Sequence, residues 1–346
     1  MAISPRNQKK QNSNHMSYSV FVTREIPDQG LKILRANKKI RLDVYEKDEQ
    51  IPRKELLRRV KGKDIILSIL TERMDKEVFN AAGSQLKMIA NYAVGFDNVD
   101  LTEAKRRGIV VTNTPGNLIS ESVAEHTIAL MFALAHRVCE GDRYTRGGKY
   151  KAWGPKLLLG TDFFGKTVGI IGSGRIGTGV VQRLHDGFNM KIIYNDVKRN
   201  TELESTTGAK YKTLEQLLKE SDFVSLHVPL LPSTKHLIGT RELKMMKKTA
   251  FLINTARGPI IDEKALAKAL AKKEIAGAGL DVYECEPLID CDPKDNLDLR
   301  KMENVVLTPH TASATEETRQ QMSVIAAKNI LAFINGKSPK NTVASI

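Results

Sequence analysis

Three glycines set close together give the chain its first chemical signal. Between Lys166 and Gly177 it reads KTVGIIGSGRIG, an apolar strand-like run that breaks into spaced glycines and then into a helix-like stretch. Gly172 would permit a tight turn, Gly174 would let a pyrophosphate approach the backbone, and Gly177 would let the new helix pack closely on its strand. The whole turn, Gly172-Ser173-Gly174-Arg175-Ile176-Gly177, is therefore a candidate dinucleotide cradle, with the anion on unpaired amides at a helix start. The next strand-like run, KIIYND, ends in Asp196, and 18 residues lie between Gly177 and that carboxylate. That is the spacing at which an acid meets a ribose. A carboxylate there accepts both ribose hydroxyls and repels a 2′-phosphate, so NAD is expected over NADP. Lys198 and Arg199, just beyond it, could partly neutralise the acid if they swung inward.

Ligands of open parallel sheets bind outside the carboxyl ends of the strands. Past those ends the second half of the chain places Asp196, His227 with Pro229, Arg257 after INTA with its Thr255, Asp281 after AGL, and His310 after VVLTP. A carbonyl that accepts hydride needs a proton donor, because the alkoxide is too basic to stay bare at neutral pH. Histidine suits that task. If the carbonyl belongs to a 2-oxo acid, a guanidinium can grip the neighbouring carboxylate in two bonds and polarise the carbonyl, and Arg257 fits. A carboxylate beside the histidine would favour its charged form and fix its orientation, and Glu286 in DVYECEP is the candidate. Taken singly, each has an ordinary reading: a hydrogen-bonded structural histidine, a surface arginine, a loop acid. Their joint placement at strand ends beside a dinucleotide turn is what points to chemistry.

The elements that must hold these residues follow a repeating pattern. Strand-like runs YSVFVT, IRLDVYE, DIILSIL, KMIANYA and IVVTNTP alternate with helix-like segments, and a second series follows: TVGIIG, KIIYND, DFVSLHVP, AFLINTA, IAGAGLDV and NVVLTPH. Such alternation means parallel sheets covered by helices, so the fold class is α/β with two doubly wound domains. Between the series lies an amphipathic segment, Ser120 to Arg137, opened by the capping box Ser122-Val123-Ala124-Glu125 and expected to bridge the lobes. A helix-like run from Glu316 to Asn335 follows His310. The expected organisation is a tail at residues 1–16, a discontinuous substrate domain at 17–113 and 312–346, and an inserted NAD-binding domain at 114–311, with the site in the cleft. The stretch from Pro287 to Val305 is long for a loop and rich in acids, and has no evident role beyond a solvated excursion.

A chain of 346 residues suits two such domains. Lys and Arg outnumber Asp and Glu by 54 to 40, but the bases are scattered among acids rather than gathered with aromatics, which argues for a solvated surface and against nucleic acid. The tail before Met16 is too polar to order itself; its lack of acids faintly suggests an organellar leader, against which stands the absence of an Arg-rich amphipathic stripe. Three cysteines, an odd number without metal spacing, suit no disulfide framework and imply a reducing, cytoplasmic setting. No run is read as a membrane span, no secretory signal is seen, and no metal cage is expected. Trp153 is assigned to packing, and His126 and His136 to a core or a subunit interface.

The motifs NYAVGFDNVD, TNTPG, GSGRIG with Asp196, INTARG, AGLDVYECEP and LTPH, in this order between Val20 and Asn335, make the chain resemble the D-isomer-specific 2-hydroxyacid dehydrogenases, nearest to their glyoxylate and hydroxypyruvate reductases. The resemblance implies a Rossmann cofactor domain inserted into a flavodoxin-like substrate domain, and a homodimer formed through the cofactor domain. It implies that Arg257 anchors substrate, His310 is the acid/base and Glu286 its partner. Backbone amides around Val94 and Gly95 would hold the substrate carboxylate, and Asp281 would contact the nicotinamide carboxamide. The pocket wall would come from around Ile69, Leu70 and Thr71. Glu286 stands where formate dehydrogenases carry glutamine, and the residues after Asn335 leave no room for the regulatory domain common in phosphoglycerate dehydrogenases. A different class, an NAD(H)-sensing binding protein or corepressor-like scaffold, could keep the same residues.

Overall fold

A computed structural model describes residues 17–286 and 298–343. The expected tail at 1–16 and most of the acidic stretch after Glu286 lie outside the described residues. The remainder of that stretch forms the 3-10 turn Leu299–Lys301. The chain divides into two compact units, one of residues up to Pro115 together with those from Arg319 onward, the other of Gly116–Thr318. The division falls inside the helix Glu316–Ile334.

In the first unit the strands are β1 (Tyr18–Val22), β2 (Ile40–Val44), β3 (Ile65–Ile69), β4 (Met88–Tyr92) and β5 (Val110–Thr112). They form one parallel sheet in the order β2-β1-β3-β4-β5. This is the flavodoxin-like doubly wound order. The run MIANY of β4 is buried throughout, as a central parallel strand covered on both faces must be. Asp75 and Asp100 start the flanking helices Lys76–Ala82 and Leu101–Arg106 by accepting from their first-turn amides.

The second unit contributes β6 (Thr167–Ile171), β7 (Lys191–Asn195), β8 (Lys210–Tyr211), β9 (Phe223–Leu226), β10 (Phe251–Asn254), β11 (Gly277–Leu280) and β12 (Val305–Leu307). Their order is β12-β11-β10-β9-β6-β7-β8. Counted from β6 as the unit's first strand, this is the dinucleotide-binding arrangement with one added strand, and the order reverses between β6 and β9. The short, exposed β8 carried no apolar run to announce it. Leu217, Leu226, Leu252, Leu266 and Leu280 fill one side of this sheet, and Met131, Val168, Val180 and Tyr194 the other.

The long helix of this unit runs Asn117–Ala135, starting before and ending short of the expected Ser120 to Arg137. Gly116 occupies the cap position, and the Ser122 hydroxyl lies inside the helix, 2.7 Å from that of Thr318. The expected capping box is therefore absent: the helix already begins at Asn117, so Ser122 lies inside it and its hydroxyl meets Thr318 instead of a first-turn amide. The same helix corrects the reading that no run matches a membrane span. This helix is long and apolar enough, but half of that stretch is buried inside the protein. Leu130 and Leu134 pack on the backbone of Gly279 in β11, which makes it a core helix. Cys285 is disulfide-bonded, while Cys139 is a free thiol. An odd count argues against a network of disulfides but not against one bond.

Candidate active site

The glycine turn follows β6 at the point where the strand order reverses. Gly172 has φ 97°, and a Cβ there would lie 2.7 Å from the carbonyl of His227 at the end of β9. A Cβ on Gly177 would lie 2.1 Å from the Gly172 oxygen, so the helix Arg175–Phe188 starts hard against the turn. Around Gly174, by contrast, nothing beyond its own chain neighbours lies within 4 Å of an added Cβ. These residues fit a dinucleotide: two glycines close the turn and the middle one presents bare backbone to open space. Asp196, at the end of β7, accepts from the Ser173 amide at 2.7 Å and from its hydroxyl at 2.9 Å, which joins the ribose-binding candidate to the turn. Arg199 is engaged by Glu204 through two bonds of 2.9 and 3.0 Å.

His227 and Pro229 follow β9 beside that turn. The His227 ring lies 2.9 Å from the Ser225 hydroxyl, and burial pushes its pKa down to about 3, so the imidazole is neutral at physiological pH. Thr255, after β10, is almost wholly buried and its hydroxyl is 2.8 Å from that of Thr127 on the long helix. Two residues on, Arg257 leads into the 3-10 turn Gly258–Ile260, and one guanidinium nitrogen donates to the Ala256 carbonyl at 2.7 Å. Gly258 permits that turn to touch the next strand's exit: a Cβ on it would fall 1.9 Å from the Tyr283 carbonyl group. The arginine turn and the Tyr283–Glu286 segment are thus in direct backbone contact.

His310 Nδ1 lies 2.9 Å from Glu286 Oε2, and the other Glu286 oxygen accepts from the Tyr283 amide at 2.9 Å. Separated by 24 residues in sequence, the pair meets because β11 and β12 are neighbours. His310 has φ 54°, a left-handed conformation that a side chain rarely adopts. What holds it there is Asp281. The Asp281 carbonyl accepts from the His310 amide at 2.9 Å, and its fully buried carboxylate accepts from Thr308 Oγ1 at 2.6 Å and from the amides of Thr311 and Ala312 at 2.8 Å. Burial raises the pKa of this carboxyl, but the donors from His126, Thr308, Thr311 and Ala312 outweigh it and hold the group below the ordinary aspartate range. Thr308, Thr311 and His126 were not singled out from the sequence as parts of this arrangement. The LTPH motif contained the signal for Thr308, a hydroxyl two residues before the histidine.

In the first unit, the Val94 and Gly95 carbonyls accept from the side-chain amides of Asn113 and Asn91 at 2.7 and 3.0 Å, which fixes the loop after β4. Glu72, almost fully buried, accepts from the Thr23 hydroxyl, the Ile69 amide and the Thr71 hydroxyl, and so ties down the loop after β3.

The sequence profile of the D-isomer specific 2-hydroxyacid dehydrogenase, NAD binding domain, matches residues 128–312. The glyoxylate reductase of Korarchaeum cryptofilum is 50% identical over 95% of this chain and 96% of its own length. A crystal structure of a Thermus thermophilus protein superposes with a TM-score of 0.86 at 42% identity, covering 94% of this chain and all of that one. The D-lactate dehydrogenase of Aquifex aeolicus, complexed with NAD and lactic acid, reaches 0.82 at 30% identity over 94% of this chain and 98% of its own. A shared profile over the strands that carry the glycine turn and the histidine, with near full-length likeness on both sides, leaves one conclusion: the chain belongs to the NAD-dependent D-isomer-specific 2-hydroxyacid dehydrogenase family.

Proposed function

We propose that the enzyme reduces glyoxylate or hydroxypyruvate to the corresponding 2-hydroxy acid, glycolate or D-glycerate. The observation that carries this reading is the His310–Glu286 pair at 2.9 Å, on the same sheet edge as the glycine turn. When bound, NADH supplies the hydride that adds to the substrate carbonyl carbon. With Nδ1 engaged by Glu286, the His310 Nε2 is the nitrogen that delivers a proton to the carbonyl oxygen. Arg257 holds the substrate carboxylate in two bonds and polarises the adjacent carbonyl. The amides of Val94 and Gly95 are assigned to that same carboxylate, with Ile69, Leu70 and Thr71 limiting the size of the substrate's side chain. Gly172 to Gly177, with Thr255 and the His227–Pro229 segment, cradle the cofactor. Asp196 receives the ribose and favours NAD over NADP; of the two bases just beyond it, Arg199 is paired with Glu204.

A homodimer belongs to the same reading. Trp153, assigned above to packing, is 80% exposed in the single chain, with Phe164 at 73% and Leu159 at 64%. So much apolar surface on one stretch of the second unit suits burial against a second copy. The test is steady-state turnover with glyoxylate, hydroxypyruvate, pyruvate and bulkier 2-oxo acids, each with NADH and NADPH. The two small substrates with NADH should give the highest kcat/KM. Tight NADH binding with no turnover of any 2-oxo acid would mark a cofactor-sensing scaffold instead.

A further inference from the structure

We propose that His126 is a positioning residue for the proton-donating His310, acting from the long helix through Thr308 and Asp281. The inference rests on the reading of His310 as proton donor. Thr308 Oγ1 gives its single hydrogen to the buried Asp281 carboxylate at 2.6 Å, so its oxygen must accept from His126 Nε2 at 3.0 Å. That fixes the His126 ring with its proton on Nε2, which also lies 3.5 Å from Asp281 Oδ1. Asp281 in turn accepts from the amides of Thr311 and Ala312, immediately beyond His310. The residues on both sides of His310 are thereby tied to one carboxylate, and the left-handed backbone of His310 persists because its neighbours over-determine it.

The next residue on the helix does the same for the substrate anchor. Thr127 Oγ1 donates to the Val123 carbonyl at 2.7 Å, so Thr255 donates to Thr127 at 2.8 Å. Thr308 and Thr255 each stand two residues before a functional side chain, His310 and Arg257. Consecutive positions of one core helix thus reach the exits of β12 and β10. The helix is seated on the strands by Leu130 and Leu134, so it serves as a rigid ruler for the spacing of acid and anchor.

His126→Phe keeps a ring but removes the donor, and His126→Gln restores an amide donor of similar reach. Reductive kcat with glyoxylate should fall about 10- to 100-fold in His126→Phe and recover at least tenfold of that loss in His126→Gln, with the NADH dissociation constant within about twofold of wild type in both. Thr127→Val should raise substrate KM more than it lowers kcat, because its route leads to Arg257. The ring signals of His310, assigned by their loss in His310→Asn and followed by NMR, should move in His126→Phe and return in His126→Gln. Wild-type turnover in His126→Phe, or no difference between Phe and Gln, would overturn the proposal. If the wild-type protein reduces no 2-oxo acid, the functional reading fails by itself, and His310 signals unmoved by His126→Phe would still overturn the positioning role.

Discussion

At the scale of single residues, the proposed roles separate a group that moves a proton from one that holds charge still. Arg257 offers a planar fork, which an ammonium cannot reproduce. Arg257→Lys should therefore lose about 2–4 kcal/mol of transition-state binding, read as a fall in kcat/KM on every accepted 2-oxo acid. Near-normal kcat/KM would remove the guanidinium from the site. Glu286 does two things at once, since one oxygen takes the Tyr283 amide and the other faces His310 Nδ1. Glu286→Gln keeps an acceptor for the amide but loses the charge, so reductive kcat should drop by about tenfold or more while the melting temperature stays close to wild type. A comparable fall in melting temperature, with turnover intact, would make Glu286 a structural loop acid.

At the scale of elements, strand exits decide where chemistry sits. Gly177→Ala would drive a methyl into the Gly172 oxygen, an overpacking cost of about 1–3 kcal/mol, and should weaken NADH binding by shifting the helix start. The same substitution at Gly174 meets open space and should cost little stability, though it too should weaken NADH. Equal stability losses at both positions would contradict this division. His227, at the exit of β9, makes a pH prediction. Its folded pKa lies near 3, below the ordinary 6.5, so the unfolded chain takes up a proton below about pH 6.5 that the folded one refuses. Its contribution to stability is present above that pH and is lost as the pH falls toward 3. Thermal melts from pH 7 to 4 should show a shallower decline in His227→Gln. Most of these elements were legible in the sequence, because buried parallel strands and a glycine turn write themselves as apolar runs and breaks. Two features were not. The long helix starts at Asn117 behind Gly116, a cap that makes no side-chain hydrogen bond, so no capping residue marked its start. The Asp281 network joins residues from separate strands and a helix, and only folding brings Thr308, Thr311 and His126 to one carboxylate.

At the scale of the whole molecule, the order of the strands explains why residues scattered from Gly172 to His310 belong together: the parallel sheet of the second unit delivers every one of them to the same kind of edge. The exposed Trp153, Leu159 and Phe164 should be covered when two copies meet. Light scattering should give twice the chain mass, and Trp153→Asp with Phe164→Asp should shift it toward the monomer. A wild-type monomer at assay concentration would refute the shared interface. The central claim is that this molecule binds NADH and uses His310 to protonate a 2-oxo acid as it is reduced. It is tested most directly by measuring glyoxylate-dependent NADH oxidation in wild type and His310→Ala alongside NADH binding by fluorescence titration. The account predicts a loss of about 10²- to 10⁴-fold in turnover with the NADH dissociation constant little changed. Wild-type turnover in His310→Ala would contradict it.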